Sequence, residues 1–421
     1  MSKLTHHELM ILLVQLSAML LIGRVLAEVA RRLKQPAVVG EIVAGIIIGP
    51  TVLGMLQPEW FEALFPKEAH SGFVLAGFVQ VAVVMLLFIA GLEVDLHIVW
   101  QQGRQSVITS LFGLVIPFLF GFMFPYFFPD FFGLADKHSK FVFALFMGTA
   151  MAISALPVIV RILMDLGLFK SRMGLLVVAS AMIDDVIGWI IFSVILGMIG
   201  KGEGSSFLNT ILLTIGFTAI MLTLGRGVLN RLLPWINKKM AWPGSVLSVS
   251  LAFCFLGAAF TEYIGIHAIF GAFIMGVAFG DSVHFSERAK EIVHQFINNV
   301  FAPLFFVAIG LRVNFIINFD FGLTVIIIVI AFAGKILGSG LGTRLGGFTW
   351  RESMAAGFGM NARGAIEIIL GLIALENGLI DERVFVSLVV MALVTSMTSG
   401  PLMKWVLTND GLKNRLKNRN S

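Results

Sequence analysis

Two adjacent aspartates, Asp184 and Asp185, interrupt a long apolar segment of the chain. They lie near the middle of residues 173–200, a segment that contains no other charge and is long enough to cross a bilayer. Each carboxylate costs ~2.5–3.5 kcal/mol to insert at the centre of a membrane helix, so both are candidates for function. Two neighbouring carboxylates resist joint ionisation, and their oxygens also suit hard monovalent cations. The pair therefore predicts a site where a proton and a cation compete, which is the minimal chemistry of an antiporter.

Three further charged residues in apolar segments are candidates for the site. Lys335 is the only charge in residues 321–342, and we expect it to pair with one of the aspartates, Asp184 being the first choice. Arg363 and Glu367 lie four residues apart, so on a helix they can pair with each other. For all three residues, a purely structural ion pair is the alternative to a role in transport.

Composition places the chain among polytopic membrane proteins. Of its 421 residues, 58% are hydrophobic and only 13% are charged, whereas a soluble protein carries about a quarter charged residues. The single cysteine, Cys254, excludes an internal disulfide and a cysteine-based metal site. The basic residues are spread over short loops, a pattern typical of loops retained in the cytoplasm rather than of a nucleic-acid surface. We expect no cofactor and no enzymatic activity.

Hydropathy predicts an all-helical chain with thirteen membrane-spanning helices. They cover residues 9–29, 38–56, 73–92, 106–128, 141–163, 173–200, 207–233, 244–262, 266–280, 295–311, 321–343, 353–376 and 384–407. The ninth and tenth spans are short, so we expect them to be tilted or half-buried.

Loop charge predicts the orientation of these spans. Of the 30 Lys and Arg residues, 19 lie in the loops and the tail of one side, and seven lie on the other side. Because basic loops stay in the cytoplasm, the N-terminus is predicted to be outside. The short basic tail, residues 408–421, is predicted to be cytoplasmic.

Two stretches of the sequence recur in the same order. Glycines at 40, 45 and 49 have the same spacing as glycines at 271, 276 and 280, and LLFIAGLEVDL resembles FFVAIGLRVNF. These matches equate spans one to six (residues 9–200) with spans eight to thirteen (residues 244–407), and they leave residues 201–235 as a linker helix. Span one starts outside and span eight starts inside, so the two halves are inverted repeats. Inverted repeats are a hallmark of secondary transporters, whose site lies at mid-membrane.

Spans five and twelve occupy matching places, and both contain helix-breaking residues. In span five, Pro157 removes a backbone donor, and Thr149 and Ser154 supply hydroxyl groups. In span twelve, Asn361 lies among three glycines within residues 357–364. Broken helices at mid-membrane free carbonyl groups and helix ends that can hold a cation, whereas a plain kink is the alternative.

The segments ISALPVIVRIL, ASAMIDDVIGW, GKILGSGLGTRLGG and GFGMNARGA resemble the monovalent cation:proton antiporter-2 family of sodium/proton and potassium/proton exchangers. The resemblance implies a single exchanger domain, residues 1–421, with thirteen helices. Spans one to three and eight to ten would form a dimerisation domain. Spans four to six and eleven to thirteen would form a mobile core domain, in which spans five and twelve cross as broken helices.

The resemblance also implies roles for individual residues. Asp185 would bind the transported Na⁺ or K⁺ or a proton, and Asp184 would pair with Lys335. Ser154 would place a hydroxyl near the ion. An Asp-Asp pair with a buried lysine resembles the electrogenic branch of the family, which moves more protons than cations.

The chain departs from the family pattern at two places. Relatives often carry a proline and an acid where this chain has Ala362 and Ala365, and here the acid appears at Glu367, which leaves the role of Arg363 open. Potassium-efflux relatives usually have a cytoplasmic nucleotide-binding domain, whereas this sequence ends at Ser421. It therefore either lacks that domain or is part of a longer chain.

These observations predict a Na⁺/H⁺ antiporter, with a K⁺/H⁺ antiporter of the same family as the alternative. We expect a homodimer in a bacterial inner membrane. An uncoupled cation channel and an organic-solute carrier of similar topology stay open, whereas an intramembrane aspartyl protease needs two aspartates on facing helices. The predicted site comprises Thr149, Ser154, Asp184, Asp185 and Lys335, with Asn361, Arg363 and Glu367 as further members.

Overall fold

A computed structural model describes residues 4–33, 35–66, 70–134, 139–200 and 207–408 of the protein. The described residues form eighteen α-helices and no β-strand. The helices are α1 His6–Arg32, α2 Ala37–Ile48, α3 Leu53–Leu56, α4 Pro58–Leu64, α5 His70–Leu92, α6 Leu96–Phe127, α7 Lys140–Ala152, α8 Leu156–Asp165, α9 Arg172–Gly200, α10 Phe207–Ile220, α11 Arg226–Lys239, α12 Gly244–Tyr263, α13 Ala268–Gly280, α14 Glu287–Arg312, α15 Phe321–Leu345, α16 Trp350–Met360, α17 Ala365–Glu376 and α18 Glu382–Thr408. A π-helical turn, Met221–Gly225, joins α10 to α11.

Apolar helices long enough to cross a bilayer make up most of the described chain. Among the described residues, eleven helical segments are long and apolar enough to cross a bilayer, and α16 with α17 forms a twelfth that is bent by 45°. The shorter apolar helix α13 falls where the ninth span was predicted. The all-helical membrane architecture is therefore confirmed and the protein is an integral membrane protein, while the exact number of thirteen spans stays a prediction.

Several predicted boundaries were wrong because polar residues extend the helices. The tenth span was expected to be short, but α14 runs over 26 residues because Ser286 caps a polar first half. Likewise, α6 begins at Leu96 and contains a break at Gly103, whose φ of 54° favours glycine. Two predicted segments lie partly outside the described residues, namely the first residues of the linker (201–206) and the basic tail from residue 409 onward.

The chain divides into two compact units. The first contains α1–α5 and α10–α14, and the second contains α6–α9 and α15–α18. They correspond to the two groups of spans that the family resemblance implies, with the linker helix in the first unit. The division into inverted repeats at residues 9–200 and 244–407 stays a prediction. All candidate site residues belong to the second unit, which we call the site unit.

Two glycine crossings hold the first unit together. A Cβ atom on Gly45 would lie 2.8 Å from the Cα of Gly310, so α2 and α14 cross with their backbones in contact. A Cβ atom on Gly276 would lie 3.0 Å from the Cα of Gly91, so α13 and α5 cross in the same way. The repeat alignment equates Gly45 with Gly276 and Gly91 with Gly310, which makes the two crossings equivalent. This reciprocity supports the predicted repeat.

Candidate functional site

Asp184 and Lys335 form an ion pair in the core of the site unit. Lys335 Nζ lies 2.8 Å from Asp184 Oδ2, and both side chains are fully buried. The other carboxylate oxygen, Asp184 Oδ1, accepts a hydrogen bond from Ser110 Oγ at 2.6 Å. The predicted pairing of these two charges is therefore present, and a hydroxyl from α6 completes the coordination of the carboxylate.

The ammonium group of Lys335 makes two more contacts. It donates to the carbonyl oxygen of Gly113 at 2.9 Å and to that of Ala152 at 2.5 Å, so all three of its protons are used. Ala152 is the last residue of α7, where the helix dipole places partial negative charge. A positive charge at this helix end is therefore favourable, and Lys335 connects it to the acid on α9.

The first helix break separates α7 from α8. Residues 153–155 are not helical, and both Ile153 and Ala155 have extended backbone conformations. Pro157 lies in the first turn of α8, where its missing N–H group has no intrahelical partner to lose. The prediction that span five breaks near this proline is confirmed.

The second break separates α16 from α17 and lies against the first. Ser154 Oγ donates to the carbonyl oxygen of Met360 at 2.9 Å, and the backbone N–H of Ala155 donates to the carbonyl oxygen of Ala362 at 2.9 Å. Carbonyl groups at the second break thus accept hydrogen bonds from residues of the first break. The two broken helices meet at this point of the site unit, in agreement with the prediction that spans five and twelve cross.

Arg363 joins the two breaks electrostatically. Its guanidinium donates to the carbonyl oxygens of Ala150, at 2.7 Å, and Met151, at the end of α7. It also pairs with Glu367 at 3.1 Å, as predicted, and both side chains are buried. The second carboxylate oxygen of Glu367 accepts the backbone N–H of Gly364 at 2.7 Å, at the start of α17. The guanidinium of Arg363 therefore lies at the C-terminus of α7, and the carboxylate of Glu367 lies at the N-terminus of α17. Both helix dipoles favour this arrangement.

The remaining predicted site residues are also buried, and they are close in sequence to the residues described above. Asp185 is 1% exposed and follows Asp184 on α9, so its side chain projects about 100° away from that of Asp184. Thr149 is also buried, and its hydroxyl donates to the carbonyl oxygen of Leu145 in its own helix. Asn361 lies in the second break, fully buried, and neither polar atom of its side chain has a hydrogen-bond partner in the described part of the chain. Its amide oxygen is available to a ligand.

Sequence reasoning missed several groups that contact the ion pair. Ser110 on α6 bonds Asp184, and the carbonyl groups of Gly113 and Ala152 bond Lys335. Carbonyl groups carry no sequence signal, because every residue has one. The hydroxyl had a weak signal, since Ser106, Thr109 and Ser110 lie together at the start of the fourth span.

An all-helical membrane fold with two crossing broken helices and buried charges at their ends defines a class of secondary transporters. Residues 17–409 match the sodium/hydrogen exchanger transmembrane family, and the chain belongs to this family. Its members are transporters and not enzymes. The predicted kinship with cation:proton antiporters is confirmed.

Individual relatives agree with this assignment. The chain is 31% identical over 402 residues to the K(+)/H(+) antiporter 1 of Saccharomyces cerevisiae, covering 91% of this chain and 45% of the relative. It is 30% identical over 400 residues to the Na(+)/H(+) antiporter NhaS4 of Synechocystis sp., covering 94% of this chain and 97% of the relative. The chain is also 32% identical over 426 residues to the Cation/H(+) antiporter 17 of Arabidopsis thaliana, covering 97% of this chain and 50% of the relative. It thus spans about half the length of the yeast and plant relatives.

The fold agrees with that of a solved antiporter. The structure of the sodium proton antiporter MjNhaP1 from Methanocaldococcus jannaschii at pH 8 aligns with a TM-score of 0.66. The alignment covers 95% of this chain and 99% of that one, at 18% sequence identity. At this identity the likeness establishes the shared fold.

Proposed function

We propose that this chain is a monovalent cation:proton antiporter, with Na⁺ as its cation. The observation that carries the proposal is the buried Asp184–Lys335 pair beside two touching helix breaks, with a second acid, Asp185, next in the chain. Burying two acids and a lysine in a membrane protein is costly, so such groups mark ion pathways. Exchange of Na⁺ for H⁺ would serve pH homeostasis.

In the proposed mechanism, cation and proton bind Asp185 in turn. The carboxylate oxygens of Asp185, the hydroxyl oxygens of Ser154 and Thr149, and the amide oxygen of Asn361 are the proposed cation ligands. Hard cations prefer oxygen ligands of these kinds. Protonation of Asp185 removes its charge and the cation leaves, so the two ions exclude each other. The site unit then opens the site alternately to the two sides of the membrane.

Lys335 is proposed to make the exchange electrogenic. In the cation-free state it holds Asp184, as the ion pair does here. When a cation binds, the pair opens and Lys335 releases a proton in addition to the one from Asp185. The proton-to-cation ratio would then exceed one.

The Lys335→Gln variant tests this role. We expect it to keep cation-dependent exchange while its proton-to-cation ratio falls, because glutamine carries no exchangeable charge. The ratio is measured in proteoliposomes from the membrane potential at which net flux stops. A variant with the wild-type ratio would contradict the role of Lys335 but would leave antiport intact.

A K⁺/H⁺ antiporter is the second candidate. One relative is named as a K(+)/H(+) antiporter and another as a Na(+)/H(+) antiporter, at nearly the same identity to this chain. The same oxygen ligands serve both cations, and the size of the site decides between them.

We further propose a homodimer in a bacterial inner membrane, with the N-terminus outside and the C-terminus in the cytoplasm.

The test of the proposed function uses purified protein in liposomes that contain a pH-sensitive dye and hold an imposed proton gradient. Na⁺, Li⁺ and K⁺ are added separately to the wild type, to Asp185→Asn and to Asp165→Asn, an exposed acid at the end of α8. We expect the wild type and Asp165→Asn to dissipate the gradient when their cation is added. The Asp185→Asn variant should give no response, because it cannot exchange a proton for the cation.

The ranking of the three cations identifies the preferred ion. If the wild-type protein dissipates the proton gradient with none of the three cations, this result would contradict coupled antiport. It would favour an organic-solute carrier or an uncoupled channel. Retention of exchange by Asp185→Asn would place the site elsewhere.

A further inference from the structure

A column of hydroxyl side chains lies beside the Asp184–Lys335 pair. We call it the hydroxyl column, and its members are Ser106, Thr109 and Ser110 on α6, Ser180 on α9, and Ser339 and Thr343 on α15. Each of them is at most 1% exposed. Several recur one helical turn apart, so each helix presents a hydroxyl face. On α9 and α15 this face continues from the charged residue of the pair, Asp184 and Lys335 respectively.

The three helices turn these faces toward one another. Ser180 Oγ donates to the carbonyl oxygen of Ser106 at 3.1 Å, and Ser110 Oγ donates to Asp184, so α6 and α9 are joined twice. On α15, Ser339 packs against α6, because a Cβ atom on Gly113 would lie 2.6 Å from Ser339 Oγ. The hydroxyl column is therefore one shared interior strip of the site unit.

Three members of the column have side chains whose hydrogen-bonding groups are not satisfied by the described part of the chain. Thr109 Oγ1, Ser339 Oγ and Thr343 Oγ1 are buried without a hydrogen bond to any described residue. A buried hydroxyl left in this way costs about 1–3 kcal/mol, whereas a buried water typically satisfies about three polar groups. Hydroxyls one turn apart are about 5.4 Å apart, which is too far for a direct bond and fits one bridging water.

The column connects the ion pair to the surface of the site unit. At its inner end, Ser110 bonds Asp184. At its outer end, Ser106 Oγ donates to the carbonyl oxygen of Gly103 at 3.0 Å, and Gly103 is the exposed residue at which α6 breaks. From Lys335 to Thr343 the column covers about 12 Å at about 1.5 Å per residue. It ends on the side that the distribution of basic residues predicts to be cytoplasmic.

We propose that the hydroxyl column, with water between its members, carries protons between this surface and the Asp184–Lys335 pair. Each hydroxyl or water accepts one proton and passes on another, so no member of the column changes its charge. One proton leaves the solvent and one arrives at the pair. This route is separate from the helix breaks at which the cation is proposed to bind. The inference rests on the proposed antiport and adds a path for its second proton.

The experiment removes single hydroxyls without changing side-chain size by more than one atom. Ser339→Ala and Thr343→Val are compared with the wild type in dye-loaded proteoliposomes. We expect proton flux at saturating cation to fall at least about tenfold, as for the loss of a positioned proton-transfer group, with the apparent cation affinity unchanged. The conservative variants Ser339→Thr and Thr343→Ser keep a hydroxyl and should keep most of the flux.

Ser353→Ala is the matched control. Ser353 is also fully buried without a hydrogen bond among the described residues, but it lies on α16 outside the column. Equal loss of flux in Ser353→Ala, or wild-type flux in both Ser339→Ala and Thr343→Val, would overturn the proposal. If Ser339→Ala does not fold, Thr343→Val and Thr343→Ser decide the question two turns away from the pair. A failure of antiport itself would look different, since the wild type would then show no cation-dependent flux at all.

Discussion

At the scale of single residues, Asp184 and Lys335 each offset the cost of burying the other's charge. Asp184 and Lys335 are both fully buried, and each would be an uncompensated charge without the other. Ser110 and two carbonyl groups satisfy their remaining hydrogen-bonding positions. The ion pair is therefore stable in this state. Separating its charges requires another group to take the place of Lys335 beside Asp184. In the proposed exchange, opening of the pair is linked to cation binding at the neighbouring acid.

Single and double replacement of this pair should affect stability very differently. We expect Asp184→Asn or Lys335→Met alone to lower the free energy of unfolding by about 3–5 kcal/mol, because each leaves the other charge buried and unpaired. The double variant Asp184→Asn/Lys335→Met should cost clearly less than the sum. Thermal unfolding of the purified proteins in detergent measures all three.

An exposed pair provides the control for this comparison. Glu287→Gln removes the partner of Lys290 at 2.9 Å, but Glu287 is 87% exposed, so the loss should stay below about 1 kcal/mol. Additive effects of Asp184→Asn and Lys335→Met would contradict the account of the buried pair.

At the scale of elements, the broken helices are stabilised by charges at their new ends. Arg363 and Lys335 donate hydrogen bonds to carbonyl groups at the end of α7, and Glu367 accepts one from a backbone N–H group at the start of α17. The sequence pattern of Arg363 and Glu367, four residues apart, predicted only that they pair with each other. In the structure Arg363 also reaches α7, because the breaks bring the two helices into contact. The protein's own cations thus occupy the carbonyl groups that sequence analysis had considered for the transported ion.

Helix crossings in the first unit depend on glycine, and α5 offers a matched pair for testing this. A Cβ atom on Gly91 would lie 2.1 Å from the carbonyl oxygen of Phe273, whereas nothing lies within 4 Å of one on Gly77. We expect Gly91→Ala to lower the free energy of unfolding by about 1–3 kcal/mol or more, since two backbones must separate. Gly77→Ala should be neutral or stabilising by up to about 1 kcal/mol, because alanine favours the helix.

Thermal unfolding and the yield of folded protein distinguish these two variants. If Gly91→Ala unfolds at the wild-type temperature, the close crossing of α5 and α13 is not required for stability.

At the scale of the whole molecule, the distribution of basic residues sets a testable orientation. The FKSR segment belongs to the basic side and contains the exposed residue Lys170, whereas Gln57 lies between α3 and α4 on the other side. Basic loops are retained in the cytoplasm, so Lys170 is predicted to be inside and Gln57 outside.

Labelling of single cysteines tests this orientation. The only native cysteine, Cys254, is buried and is replaced by serine, and Gln57→Cys or Lys170→Cys is then introduced. We expect an impermeant maleimide to label Gln57→Cys in intact cells and Lys170→Cys only after the membrane is opened. The opposite pattern would reverse the orientation and place the outer end of the hydroxyl column outside.

The sequence by itself determined the membrane class, the positions of most spans and the residues that carry charge inside them. These properties are local, because a charge in an apolar segment or a proline in a helix is visible without knowledge of its neighbours. It also led to Asp184 as the partner of Lys335, since few buried charges were available.

Only the tertiary structure decided how these groups are held. Ser110 bonds Asp184, Arg363 reaches the end of α7, and the hydroxyls of three helices face one strip. Residues 335 and 184 come from helices far apart in the sequence, so the distance between them depends on how α6, α9 and α15 pack. Packing of this kind follows from many weak contacts at once, and no short segment of the sequence specifies it.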